Sequence, residues 1–253
     1  MIKSSFLFFI ALASFFFHCA AQDVAITIKE AENLERSLKE PEALDKYKLA
    51  LANDAKNIKA LVKATELSLN IGGRSEEKND KRLQFESAMV FAKRAFQADS
   101  NNTDACYAMG IASAKLIETE SDNKKIVGYV KDSKRYLEKA VKLNPNNAKA
   151  NFALGRWYYE MATLSSLKKA ATKIFYGGLP DATVENAISY FEKCKSLDPY
   201  MVINYYFLNK AYKETDKPTK QIEVLNRLVK LPNRCVDDVA MKADATKQLQ
   251  DLQ

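Results

Sequence analysis

The chain has 253 residues, 47% hydrophobic and 28% charged, with a formal net charge of +7. That balance excludes a disordered tail, and one continuous core can account for the length. The single histidine, His18, lies within the first 21 residues, which read below as a leader, so the mature chain would have no imidazole for His-based nucleophilic schemes, and four cysteines with no Cys-x-x-Cys spacing exclude the common zinc motifs.

The first element is a leader. Lys3 gives a positive start, Phe6 to Phe17 an apolar run of 12 residues, and Cys19-Ala20-Ala21 the small residues a signal peptidase needs. The run is shorter than the ~20 apolar residues of a membrane span. The reading is therefore a signal peptide over 1–21, cleaved before Gln22, and a repeat domain over 22–253 that is exported to the periplasm or secreted. The alternatives are an uncleaved anchor and a lipid on Cys19. Loss of Lys3 leaves 38 positive and 32 negative charges, an excess of +6, interspersed along the chain. It favours an acidic partner only weakly, and export with mixed charge argues against nucleic acid.

Beyond the leader the chain reads as helix after helix. Six prolines and seven glycines punctuate it, and no segment sustains strand alternation. Small or apolar residues recur at Ala50, Ala95, Ala140, Cys194 and Leu228, each followed five places on by a turn residue: Ala55, Ser100, Pro145, Pro199 and Asn233. Asn144-Pro145-Asn146-Asn147 and Asp198-Pro199 end one helix and cap the next. Leu154-Gly155-Arg156-Trp157-Tyr158 writes a first helix, and Ala187, Phe191, Cys194 and Pro199 write the second that packs on it.

Successive spacings in the small-residue series are 45, 45, 54 and 34 residues. The last is the period of tetratricopeptide repeats, so the earlier units carry about 11, 11 and 20 extra residues. These fall between paired helices, at Ile71 to Asp80, Glu118 to Lys125 and Ser165 to Pro180, and extra helical turns can absorb part of them. Leu167, Ala170, Ala171, Ile174 and Phe175 predict a short additional helix ended by Gly177-Gly178. The fold class expected is all-α: a tetratricopeptide-like, right-handed α-α solenoid with insertions between paired helices.

Other polar clusters read as structure. Glu76-Glu77, Asp237-Asp238 and the group Glu118, Glu120, Asp122 lack the spacing of a calcium loop and read as caps or solvated charge. Gly72-Gly73 and Gly177-Gly178 read as turn or cap glycines, and Asn101-Asn102-Thr103 matches a glycosylation acceptor. Cys106 and Cys194 occupy packing slots, whereas Cys235 is the candidate exposed thiol. No metal, cofactor or catalytic residue is assigned, and the expectation is a non-enzyme.

In such stacks the second, fifth, ninth and twelfth positions of each first helix face the hollow of the spiral. Counted from Gly155 as the eighth, these are Lys149, Phe152, Arg156 and Tyr159; counted from Asn209, they are Ile203, Tyr206, Lys210 and Lys213. Tyr107 takes the fifth position in the unit of Gly110. Cations among rings suit an extended acidic or C-terminal peptide. The competing reading packs those rings on the next repeat, and Trp157 reads as core.

Leu154 to Glu160, Gly177-Gly178-Leu179-Pro180, the helix from Ala187 to Pro199, Lys230-Leu231-Pro232-Asn233 and Ile71-Gly72-Gly73-Arg74 together resemble the regulator of microtubule dynamics family, over roughly Asp45 to Leu252. The resemblance implies a tetratricopeptide-like fold and, in animal members, association with microtubules or membrane-contact partners. It supplies no catalytic residues. With the leader, the chain reads as an exported bacterial relative. The function expected is a protein-binding scaffold whose hollow face takes a partner polypeptide. The alternatives are a structural or oligomeric envelope component, or a microtubule-associated regulator in a eukaryotic source. Oligomeric state is left open.

Overall fold

A computed structural model describes residues 23–165, 178 and 180–252. Eleven helices are present among the described residues, and no strand. They are α1 (23–36), α2 (Glu40–Asn53), α3 (Ile58–Arg74), α4 (Lys78–Ala98), α5 (Thr103–Leu116), α6 (Asn123–Leu143), α7 (Ala148–Ala162), α8 (Val184–Leu197), α9 (Val202–Glu214), α10 (Pro218–Leu228) and α11 (Asp238–Asp251).

Successive helices pair as hairpins, α1 with α2 through to α9 with α10, and each pair stacks on the next, with α11 closing the end. The stacking rule is written in the second helices. Their positions spaced by four and then three residues are all buried: Ala43, Tyr47, Ala50; Ala88, Ala92, Ala95; Ser133, Leu137, Ala140; Ala187, Phe191, Cys194; and Gln221, Leu225, Leu228. Residues so spaced share one helix face, and the small ones let the neighbouring backbone approach. Opposite them, Gly110 and Gly155 leave no room for a side chain. A Cβ would lie 2.5 Å from Leu137 at the first and 2.9 Å from the Phe191 ring at the second. The fold is the all-α tetratricopeptide-like solenoid that the spacing predicts.

The turns between pairs are as regular. Residues 54–57, 99–102, 144–147 and 198–201 each fill a four-residue gap, and each begins with Asp or Asn. That residue's backbone N–H reaches the carbonyl of Ala50, Ala95, Ala140 or Cys194, the slot the sequence picks out. Its Oδ1 accepts the N–H two residues on, at 3.2, 2.8, 3.0 and 3.1 Å. In the first three the fourth residue is an asparagine that caps the next helix: Asn57, Asn102 and Asn147. Asn102→Ala should cost ~1 kcal/mol through two released N–H groups, read as a shift in the chemical denaturation midpoint.

The inserted residues differ from expectation. Helix α3 runs on through Gly72-Gly73 to Arg74, only residues 75–77 separate it from α4, and α4 and α6 are 21 residues each. In the first two insertions the added length is mainly extra helical turn. Gly72 is a helix-interior contact rather than a turn glycine, because a Cβ there would meet Gln84 Cβ at 2.7 Å and the Phe85 ring at 3.0 Å. Close packing outweighs the ~1 kcal/mol helix penalty of glycine. Gly178 has φ of 84°, in the left-handed region that favours glycine. The leader and the predicted extra helix lie outside the described residues. Cys106 and Cys194 are buried, Cys235 is exposed, and Trp157 is core with its Nε1 donating to the Val130 carbonyl at 3.1 Å.

Candidate partner-binding groove

The first helices α1, α3, α5, α7 and α9 line the hollow, and their charged side chains meet in two places. At the front, a groove of about 440 Å³ is lined by Ile58, Lys59, Val62, Lys63, Glu66, Asn102, Asp104, Tyr107 and Lys149. Glu66 is its centre, with a side chain only 14% exposed. Lys149 Nζ reaches both its oxygens at 2.6 and 2.9 Å, Lys63 stands 3.7 Å away, and the Tyr107 hydroxyl donates to it. Burial would raise the Glu66 carboxyl, but the two ammonium groups and these hydrogen bonds outweigh it and hold the group below its ordinary value. Tyr107 is pushed well above the usual phenol range by burial first, then by the Glu66 charge. Lys63 also bonds Glu35 of α1 at 2.7 Å, and Glu35 accepts from Tyr47 at 2.5 Å. Four repeats thus share one ionic lattice.

At the rear, rings gather on Phe207. Phe152 and Tyr159 meet it edge-on, each with centroids 5.9 Å away, and Tyr206 does so at 6.1 Å. The Arg156 guanidinium lies 4.9 Å from the Phe207 centroid, with Nε bonded to Glu160 at 2.7 Å. Lys210 Nζ stands 5.0 Å from the Tyr206 ring and 5.5 Å from Phe207, within cation-π range. Tyr206 donates to Asp244 of α11 at 2.9 Å; burial first, then that carboxylate, pushes its phenol up to about 12.

The sequence-derived residues therefore divide. Phe152, Arg156, Tyr159, Tyr206 and Lys210 form one cluster; Tyr107 and Lys149 belong to the other; Lys213 is exposed at the end of α9 and touches neither. Ile203 is half-buried. Ring-to-ring packing between repeats and a cationic surface coexist here, since Phe207 is itself half-buried. Lys149 and Arg156 are already paired within the chain, whereas Lys210 and Lys213 have no ion pair among the described residues.

Sequence reasoning missed Glu66, Lys63 and Phe207. Glu66 stands nine residues after its cap Asn57, the offset of Arg156 from Asn147, so counting from the capping asparagine finds it despite the padding. The positive excess also lies elsewhere. Helix α4 holds five basic and two acidic residues and α6 seven and two, against +7 for the whole chain. Their exposed stripe, including Lys124, Lys131, Arg135 and Lys142, is on the outside of the spiral.

Among the described residues no group of His, Cys, Asp and Glu is placed to hold a metal, and no helix is long and apolar enough to cross a membrane.

The family described as regulator of microtubule dynamics protein 1-3 matches residues 27–253. Regulator of microtubule dynamics protein 3 of Bos taurus is 31% identical over 172 residues, 67% of this chain and 36% of that one. Regulator of microtubule dynamics protein 1 of Bos taurus is 25% identical over 200 residues, 78% of this chain and 62% of that one. The chain thus spans between about a third and two thirds of the length of these relatives. A thermophilic TPR protein of Thermus thermophilus superposes with a TM-score of 0.66 at 13% identity, over 88% of this chain and 99% of that one. The Pseudomonas aeruginosa pilF protein does so with 0.53 at 13% identity, over 92% and 88%. These two share the fold.

Proposed function

This chain belongs to the regulator of microtubule dynamics protein 1-3 family, and we propose that it is a non-enzymatic scaffold that binds a partner polypeptide in the hollow of its solenoid. The observation that carries the reading is the α7–α9 cluster. Half-buried rings stand beside Lys210, a cation without an ion pair among the described residues, on a face that extended peptides occupy in helical-repeat proteins. The ring faces supply apolar contact, and Lys210 and Arg156 orient a carboxylate or a backbone carbonyl.

The test is a titration with the partner recovered from the native extract. Saturable binding should weaken at least tenfold, ~1.4 kcal/mol, in Lys210→Glu and in Arg156→Glu. Unchanged affinity in both variants would overturn the reading, and turnover by the purified chain would overturn the non-enzymatic part. Export with cleavage near Ala21 belongs to the same proposal, and amino-terminal sequencing should begin at Gln22.

A second reading rests on the names of the relatives, a role in regulating microtubules. Co-sedimentation with assembled microtubules separates it from the first. A third, an oligomeric envelope component, requires a defined assembly by light scattering.

A further inference from the structure

The connection between α10 and α11, residues 229–237, is longer than the four-residue turns that join the earlier pairs, and its contacts hold it in one shape. The Asp238 carboxylate accepts the backbone N–H groups of Arg234 and Cys235 at 2.7 and 2.8 Å. Arg234 bonds both oxygens of Asp198 at 2.9 Å, and Lys242 donates to the Leu231 carbonyl at 2.6 Å. From this anchored turn Asp237 reaches across the hollow to Arg74, 163 residues away in sequence, with both oxygens 3.2 Å from Nη1. The other end of that guanidinium is bonded to Glu40. The spiral has therefore curved far enough for its last turn to meet its first pairs. Cys235 agrees with that position. It is exposed to solvent, yet its thiol is pushed up to about 11 by desolvation first, then by Asp238 and Glu40, with a smaller contribution from Glu66 of the front groove.

The two carboxylates on Arg74 are not equivalent. The Glu40 side chain is 7% exposed and fixed between helices, whereas Asp237 is 40% exposed and Arg74 32%. Water and salt reach the second bond, and a pair of that kind is held weakly. Arg74 thus presents one planar fork, already shaped for a carboxylate, whose resident ligand is a displaceable part of the chain itself.

We propose that the α10–α11 turn is a built-in occupant of the Arg74 fork, and that a partner polypeptide engages by placing an acidic side chain of an extended segment on Arg74 in place of Asp237. This rests on the hollow-face reading above and adds to it the partner's chemistry and a competition. The segment Val236-Asp237 is the pattern to match: a carboxylate for Nη1, preceded by a small aliphatic side chain. Removing the resident carboxylate frees the site, so the partner's apparent affinity rises by the fraction of molecules opened.

The test uses the full chain and a fluorescein-labelled peptide copying residues 232–241 with serine in place of the cysteine, followed by anisotropy. The Asp237→Asn chain should bind it at least roughly fivefold more tightly than the unaltered chain. A peptide with both aspartates changed to asparagine should show no such gain, and adding Arg74→Gln to the Asp237→Asn chain should abolish it. Arg74→Lys, which keeps the charge and loses the fork, should give an intermediate result and covers the case in which Arg74→Gln fails to fold. A second readout is the rate of maleimide modification of Cys235 in a Cys19→Ser background, where the other two thiols are buried. Asp237→Asn should raise that rate severalfold. Equal peptide affinity for the Asp237→Asn and unaltered chains, with equal Cys235 rates, would overturn this inference and leave the hollow-face reading standing. Peptide binding to none of the chains would overturn it too, and the hollow-face reading would then be decided by the Arg156 and Lys210 variants.

Discussion

Changing Lys63 and Lys149 together to methionine is expected to destabilise the fold by ~3 kcal/mol at neutral pH, through Glu66 rather than through the lysines. The carboxylate of Glu66 is largely enclosed, and the two ammonium groups make its charge tolerable there. Removing one member of a buried pair typically costs ~3–5 kcal/mol, and the lower end applies because Lys149 is 45% exposed and water stands in for part of it. The pH dependence gives the sign. In the unaltered chain the Glu66 carboxyl is held below 4.5, so its contribution is present above that value and is lost as pH falls through the folded-state pKa. In the double variant burial is opposed only by hydrogen bonding and the folded-state pKa rises above the unfolded one. The penalty is then full at neutral pH and is relieved as pH falls through the raised value. Denaturation midpoints measured from pH 7 to pH 4 should approach each other, and parallel curves would show that Glu66 is not the seat of the effect.

Phe191→Ala should cost ~3–5 kcal/mol, as loss of a fully buried ring does. The ring touches Phe152 at 5.9 Å between centroids and fills the space opposite Gly155, so one substitution opens both the α7–α8 contact and the underside of the rear cluster. Gly155→Ala alone should also destabilise, by ~1–3 kcal/mol, because the new methyl would sit 2.9 Å from that ring. In the Phe191→Ala background the ring contacts are gone and only the Tyr190 Cβ, at 3.0 Å, still crowds the methyl, against a helix-propensity gain of ~1 kcal/mol for alanine. The second substitution should therefore lose most of its cost there. Thermal melts of the two single variants and the double variant check it, and additive losses would mean that the two residues do not oppose one another.

That reciprocity explains why so much of the fold was legible. The slot series from Ala50 to Leu228 could be found because a pair of helices can nest only where one side is small, and every second helix meets the same demand. The turns were legible at Asn144 and Asp198 for a related reason: a helix end must satisfy its free backbone groups, and few residue types do so. The inserted stretches misled because Gly72-Gly73 carries a turn composition. Glycine stands there for the approach of Phe85 and Gln84, which are near it only after α3 and α4 have packed.

The candidate site was half legible. Lys149, Phe152, Arg156, Tyr159, Tyr206 and Lys210 follow from counting positions along single helices. What each meets depends on the repeat beside it: Glu66 is 83 residues from Lys149, and Asp244 is 38 from Tyr206. Phe207 sits at a position the counting rule turns away from the hollow, yet it is the ring on which the rear cluster closes.

The sequence by itself determined that the chain is helical, that its helices pair and stack in this order, and where the turns between pairs fall, because each of these depends on residues within one or two units. Only the tertiary structure decided that the spiral bends far enough for Asp237 to meet Arg74, and which charges in the hollow are already spent on one another. Curvature accumulates small rotations over every repeat, and no local spacing records the total.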